Sequence, residues 1–506
     1  MIKNNSDNKI KDREFKKEML ITKSVDNLHE FSSFFLVPLP AIAVTFLKLF
    51  LAKLENIIGL RLFLYIPTKV KIDKLESLSI YRKLATLQKL GIVQSHSTVI
   101  RSRDDEPKIF AAHISLASRN TNNQYGYGRS LSSQDEAWGP AVGEAVERWC
   151  VENYMPPIYK TETCTSRELE DIYGYNVGRV SGFTDAFRKQ KEMYEIIEKS
   201  KFLCIETHEL RRNRKIPAPL QWFSFKQVRE GIYAQKEPMI SPIITTGAAA
   251  GRTHEEALLG GLLEYIERDA FMIHWLRKIT PNRLDINQWD TPNIRHIKDV
   301  IDRYNFEVYF LDLKTDFPVN VITCVVIDRS GKGPAVTVDA CAGSDVALCI
   351  EKSFQGAVGL RTLVRKNTHT YFKKNNSINP ATIDMHSRVV WWGLKEQLPE
   401  IEFFIGGPVD LPKENQEVLD KSKQIDLIVK HARSRGYDIF CADIAPAFVK
   451  TSLGIHVVMI HMPQLQPLYL NEKEYACHGD RLWKIPYELG LCTNTQDVNT
   501  TPHPFS

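Results

Sequence analysis

Thr245-Thr246-Gly247-Ala248-Ala249-Ala250-Gly251-Arg252-Thr253-His254-Glu255-Glu256-Ala257-Leu258-Leu259-Gly260-Gly261-Leu262-Leu263-Glu264-Tyr265-Ile266-Glu267-Arg268-Asp269-Ala270 is the most informative run in the chain. Apolar residues recur at helical spacing from about His254 to Trp275. At about 100° of advance per residue, Glu256, Gly260, Glu264, Glu267 and Arg268 fall within roughly 120° of one another. Leu258, Leu262 and Ile266 fall largely elsewhere and can pack. Gly260 and Gly261 are poor interior helix residues, each costing about 1 kcal/mol relative to Ala, so something approaches this helix closely.

The ending of that helix has an echo 120 residues upstream, where Ala141-Val142-Gly143-Glu144-Ala145-Val146-Glu147-Arg148 carries the same Glu-x-x-Glu-Arg. Residues three apart are neighbours on a helix surface, so each copy sets two carboxylates on one face with a guanidinium beside them. One copy alone reads as a solvated helix face. Two copies point to a site. Four carboxylates brought together repel and take up protons unless a cation joins them, and hard oxygen ligands suit magnesium, which bridges carboxylates to nucleotide phosphates. Arg148 and Arg268 would then neutralise phosphate oxygens.

Working outward, 43% apolar and 25% charged positions in 506 residues describe globular material with room for two or three domains. A net charge of +5, without a basic run interleaved with aromatics, excludes nucleic acid as the expected partner. Nine scattered cysteines, never spaced Cys-x-x-Cys, argue for reduced thiols in the cytosol and against a zinc site or disulfide framework. Residues 1–17 are highly charged and lack a signal-peptide core, so a cytoplasmic protein is expected. Phe34 to Leu47 gives fourteen uncharged, mostly apolar residues broken by Pro38 and Pro40, too few to cross a bilayer. It reads as a buried or partner-facing element, with membrane-surface association as the alternative.

Residues 1–94 read as a separate N-terminal region ending in an amphipathic stretch through Leu75, Leu78, Tyr81, Leu84, Leu87 and Leu90. Residues 95–506 read as an α/β or α+β catalytic body. Phe306–Leu313 and Val319–Ile327 are expected strands, and Gln424–Arg435, Gly436 and Tyr437–Ile444 read as helix, C-cap and strand. No Gly-x-x-x-x-Gly-Lys-Ser/Thr is present, and the glycines at 126 and 128 do not form a dinucleotide fingerprint, so a nucleotide must be held another way.

On these residues the chain resembles the YcaO family, whose hallmark is the paired Glu-x-x-Glu-Arg. The run from Thr246 to Ala270 follows the family pattern closely, and Ala347-Leu-Cys-Ile-Glu351-Lys-Ser-Phe-Gln355 with Arg361 resembles its third nucleotide-site element. The segment Ile455–Leu468, with Pro463, Gln466 and Pro467, and the terminus Pro502-His503-Pro504-Phe505-Ser506 resemble the azoline-forming cyclodehydratase subgroup. Read without the family, Pro-x-Pro at a terminus is a frayed, extended tail. Departures from the pattern are Arg252 for Asn, Gly260 for His, Pro140 for Ser and Tyr127 for Lys.

The resemblance implies an ATP-dependent cyclodehydratase that converts Cys, Ser or Thr of a ribosomal precursor peptide to thiazoline or oxazoline. It implies Glu144, Glu147, Glu264 and Glu267 as magnesium ligands, and Arg148, Arg252, Glu256, Arg268, Glu351, Gln355 and Arg361 as ATP-binding residues. Pro502, Pro504 and Ser506 would be carried to the catalytic centre. Implied partners are a precursor peptide, a ThiF-like leader-binding protein and a flavin-dependent dehydrogenase for oxidation to azoles. A homodimer is left open. Thioamide or amidine formation on the same ATP site, and a non-catalytic ATP-binding scaffold, are the competing readings.

Overall fold

The computed structural model describes residues 80–103, 106–117, 125–156, 160–177, 191–225, 237–238, 240, 244–372, 377–410, 417–470, 472, 479–491 and 498–505. The chain divides into two compact units, Met1–Lys74 and Leu75–Ser506. All described residues belong to the second. The apolar segment 34–47, Leu75, Leu78 and Ser506 lie outside them.

Among the described residues there are three sheets, and every ladder between their strands is antiparallel, which is the α+β form of the expected class. Strands β1 (Val93–Arg103), β2 (Glu106–Leu116) and β3 (Tyr125–Ser130) make the first. A six-stranded sheet runs β4 (Thr161–Thr165), β5 (Lys201–Glu209), β12 (Phe440–Asp443), β13 (His456–His461), β7 (Ala248–Gly251), with β6 (Arg214–Pro219) also on β5. The third has the order β11 (Val336–Gly343), β10 (Asn320–Ile327), β9 (Glu307–Asp312), β8 (Asn282–Arg283). The two strands and the helix, cap and strand expected from the sequence are all present, with Gly436 at φ 75° closing its helix.

The helices that matter to the site are α1 (Ile80–Lys89), α2 (Gln134–Asn153), α3 (His254–Leu276), α4 (Pro292–Tyr304), α5 (Val346–Phe372), α6 (Met385–Trp392) and α7 (Lys421–Arg435). Of the amphipathic leucines, Leu84 and Leu87 of α1 are buried, whereas Leu90 is exposed beyond its end. The third sheet is apolar on both faces. Phe310, Ile322, Cys324 and Val326 turn to Phe354 and Val358 of α5, while Leu311, Val321, Val325 and Val338 share a core with Leu262, Ile266, Phe271 and Trp275 of α3. This alternation is why the central strand reads as an unbroken β-branched run.

Glycine and alanine bring α2 and α3 to one place. Gly126 and Gly128 let β3 lie directly on α2, because a Cβ at these positions would stand 2.2 Å from the Ala141 carbonyl and 1.8 Å from that of Ala137. Edge strand β7 is Ala-Ala-Ala-Gly. Ala248 joins the core beneath α2, and a Cβ on Gly260 of α3 would touch that of Ala249 at 3.1 Å, so small side chains let both helices close on the strand. What approaches Gly261 is the chain itself: an added Cβ would meet the Gly247 carbonyl at 2.7 Å and Ile460 at 2.8 Å. Gly247 in turn holds φ 90°, a conformation costly for any residue with a Cβ.

Candidate functional site

The two Glu-x-x-Glu-Arg helices converge around the turn Thr245–Gly247 that leads into β7. From α2, Arg148 donates to Thr245 Oγ1 at 2.7 Å and to Glu144 Oε1 at 3.4 Å. From α3, Glu264 accepts the Gly247 amide at 3.1 Å. Glu264 also lies within electrostatic reach of Arg148 and Glu147, so carboxylates from both helices share one field. The other oxygen of Glu144 accepts the Tyr127 amide at 2.9 Å, made possible by the glycines flanking Tyr127. Arg268 spans its own motif, 3.5 Å from Glu264 and 2.9 Å from Glu267. Leu258, Leu262 and Ile266 are buried behind this face, as the helical phase requires.

Burial drives the electrostatics. It pushes Glu147 well above the usual carboxylate range against the pull of Arg148, with Glu264 and Glu144 pushing the same way. It also raises Glu264 and Glu267 against the pull of Arg268. Among the described residues no three His, Cys, Asp or Glu side chains form a ready-made metal cage. What the site offers is a set of crowded carboxylates whose burial opposes their charge, which fits a cation that keeps part of its shell for phosphate and water.

A pH dependence follows. These carboxyls bind protons more tightly in the folded chain than when unfolded, so their stabilising contribution is complete below an unfolded value near 4.5 and is lost as pH rises through the higher folded values. The thermal midpoint of metal-free protein should therefore fall as pH is raised from about 5 toward neutrality. Magnesium with nucleotide should flatten the slope. A midpoint rising over that window would contradict the arrangement.

The remaining expected residues fall into three places. Glu256 sits at the N-terminal end of α3, accepting the Arg252 amide at 2.8 Å and guanidinium at 3.0 Å and pairing with Lys421 of α7. The Arg252 contacts, with Lys421, bring its carboxyl down to about 2. Glu351 and Gln355 are joined on α5 at 3.0 Å, with Asn293 donating to Glu351 at 2.8 Å. Arg361 is buried, pairs with Glu106 at 3.3 Å and Asp328 at 3.2 Å, and lies over the Phe306 ring.

The terminus is not a frayed tail, which corrects the reading made from Pro-x-Pro alone. Pro502, His503, Pro504 and Phe505 are buried. Trp275 Nε1 donates to the Thr501 carbonyl at 2.9 Å and Trp392 Nε1 to that of Pro502 at 3.0 Å. Arg388 of α6 donates to the His503 ring and to Glu472 at 2.8 Å. Burial and the Arg388 charge hold His503 neutral, far below the usual histidine range. Phe505 packs 4.7 Å from Phe271, and its ring lies 4.1 Å from the Arg268 guanidinium. The segment thus ends against the second carboxylate motif. Asp339 of β11, half-buried within reach of Arg268 and Glu267, and Arg129 were not singled out from the sequence. Only long-range packing against α5 reveals them.

Arg268→Ala should weaken ATP by well over about 1 kcal/mol, the scale of a lost charge-assisted contact. Arg268→Lys keeps the charge but not the fork over Phe505, and serves as the folded control. An unchanged Michaelis constant and turnover in the alanine variant would remove Arg268 from the site.

Paired acidic helices, arginines and backbone amides thus meet beside an edge strand of the six-stranded sheet. A family model described as YcaO cyclodehydratase, ATP- and Mg2+-binding, matches residues 126–466, and the chain belongs to that family. Among solved structures it is similar to a heterocyclase in complex with substrate and cofactor, with TM-score 0.65 and 16% identity over 85% of this chain and 57% of that one. It is also similar to YcaO from Methanopyrus kandleri bound with AMPPCP and Mg2+, with TM-score 0.56 and 15% identity over 81% of this chain and 94% of that one. The heterocyclase TruD gives TM-score 0.52 and 17% identity over 73% of this chain and 50% of that one. At these identities the likeness is one of fold. An uncharacterized protein of Methanothermobacter thermautotrophicus is 32% identical over 92 residues, 18% of this chain and 24% of its own length. The chain thus spans little more than half of the first heterocyclase and about a quarter of that relative.

Proposed function

We propose that this ATP-dependent YcaO-type enzyme is a peptide cyclodehydratase. A Cys, Ser or Thr side chain of a precursor peptide adds to the preceding backbone carbonyl, giving a tetrahedral hemiorthoamide. The amide-derived oxygen then takes a phosphoryl group from ATP, and loss of phosphate leaves a thiazoline or oxazoline. Phosphorylation turns an otherwise poor leaving group into a good one. Bound magnesium would stabilise charge developing on the phosphates, with Glu144, Glu147, Glu264 and Glu267 as the residues that would hold it. Arg148 and Arg268 meet the phosphate oxygens, and Glu256, Glu351 and Gln355 line the remainder of the nucleotide pocket.

The observation that carries this reading is the buried segment from Pro502 to Phe505, which reaches Arg268. Two prolines lower the entropy of ordering it, and Ser506, which lies outside the described residues, would position the substrate or accept a proton. A precursor peptide and a separate leader-binding partner are part of the proposal, with residues 1–94 as the partner-facing region. An E. coli microcin synthetase McbBCD complex with pro-MccB17 bound shares the fold at TM-score 0.50 and 12% identity over 73% of this chain. The test is product mass after incubation with precursor, partner, ATP and magnesium: ring formation removes about 18 Da per site, whereas thioamidation adds about 16 Da. Gain of mass would move the chain to the thioamide reading. Absence of peptide-dependent ATP hydrolysis would leave a nucleotide-binding scaffold.

A further inference from the structure

On the face of β3 opposite α2, Tyr127 and Arg129 stand two residues apart, both half-buried, with the Arg129 guanidinium 5.0 Å from the Tyr127 ring. Tyr127 is the residue whose amide binds Glu144, so this face adjoins the first carboxylate motif. Arg129 Nη1 donates to the Gly356 carbonyl at 2.7 Å, and among the described residues it makes no ion pair. A half-buried guanidinium with one neutral partner keeps most of its donors for something else.

The helix it touches is carved to receive it. Gly356 and Gly359 lie one turn apart on α5, in the interior of a 27-residue helix where glycine is disfavoured. A Cβ on Gly359 would fall 2.3 Å from Arg129 Cδ, and one on Gly356 would fall 1.4 Å from Asp339 Oδ2. The two glycines therefore form a slot holding a cation and an anion that are not in direct contact. Asp339 interacts electrostatically with Arg129 on one side and with Arg268 and Glu267 on the other. Arg129 thus shares a counter-charge with Arg268 of the second paired motif, and its anchor is the residue after Gln355.

We propose that Arg129 is a ligand of the phosphate chain of the bound nucleotide, admitted by the Gly356–Gly359 slot, with Asp339 as its resident counter-charge until the phosphates arrive. This rests on the reading of the site as an ATP site. A phosphate chain brings several negative oxygens into a field already crowded with carboxylates, and a third guanidinium lets it enter without unseating Arg148 or Arg268 from theirs.

The experiment measures binding of AMPPCP with magnesium, and of AMP, by calorimetry on the full chain, comparing wild type with Arg129→Ala, Arg129→Lys, Gly359→Ala and Glu264→Gln. Arg129→Ala should weaken AMPPCP more than about tenfold while moving AMP less than about twofold. Arg129→Lys should fall between. Gly359→Ala, which keeps the arginine but fills its slot on a helix that otherwise welcomes alanine, should reproduce the loss even where Arg129→Ala does not fold. Equal loss for both nucleotides, or none in either variant, overturns the proposal. The two levels separate cleanly: wild type that fails to bind AMPPCP overturns the ATP-site reading itself. Wild-type binding that Glu264→Gln abolishes and Arg129→Ala leaves intact overturns only the assignment of Arg129.

Discussion

Glu267→Gln should abolish ATP turnover, with a loss of at least about 10²- to 10³-fold, in a protein whose thermal midpoint is unchanged or higher. The substitution is close to isosteric. Burial already favours the neutral carboxyl at this position, so an amide that cannot ionise relieves a cost that the folded state bears in the absence of a cation. What disappears is the negative charge that the site needs once magnesium is present. Glu264→Gln should behave alike, since an amide oxygen can still accept the Gly247 hydrogen bond. The check is ATPase activity beside a thermal melt. Near-normal turnover in a well-folded variant would sink the assignment of both carboxylates.

Truncation after Thr501 should suppress ring formation far more than it weakens ATP binding, and it should also cost stability. The sequence alone allows the segment to be solvated, in which case removal costs almost nothing. The structure makes it part of the core. Phe505 is 1% exposed, and deleting a buried aromatic side chain typically costs about 3–5 kcal/mol. Truncation also removes His503 and the Pro502 carbonyl, leaving Arg388 and the Trp392 indole each with a lost partner. Because instability could mimic a catalytic defect, Phe505→Leu is the informative companion: it fills most of the volume but loses the aromatic face under Arg268. Water loss from the precursor and nucleotide affinity should be measured on both proteins at a temperature where they remain folded. Wild-type rates of ring formation in the truncated chain would refute the segment's role.

The parts of the fold written in local chemistry were legible in the sequence. Helical phase separated Glu256, Glu264, Glu267 and Arg268 from Leu258, Leu262 and Ile266, and the structure keeps that division. The helix after Asp420 and its glycine cap were equally plain. Gly260 and Gly261 signalled a close approach, but periodicity could not say by what; Gly247 and Ile460, the latter nearly 200 residues away, answer for Gly261. Asp339 and Arg129 carry no local signature, because each becomes part of the site only through long-range packing against α5. Arg361 was placed by likeness to a motif, and its tie to Glu106 depends on a strand more than 200 residues upstream. The terminus shows the reverse case. Proline spacing suggested exposure, and two tryptophan indoles, an arginine and a phenylalanine from distant elements override it.

The hydrogen bond from Tyr127 to Glu144 is made by main chain, and its geometry is enforced by Gly126 and Gly128 rather than by the tyrosine. Position 127 is therefore free to vary without disturbing the acidic residue beneath it. Exchange of the side chain there would alter the face that holds Arg129 while leaving the Glu144 contact in place. The flanking glycines, not the residue between them, are the positions that drift would be slow to alter.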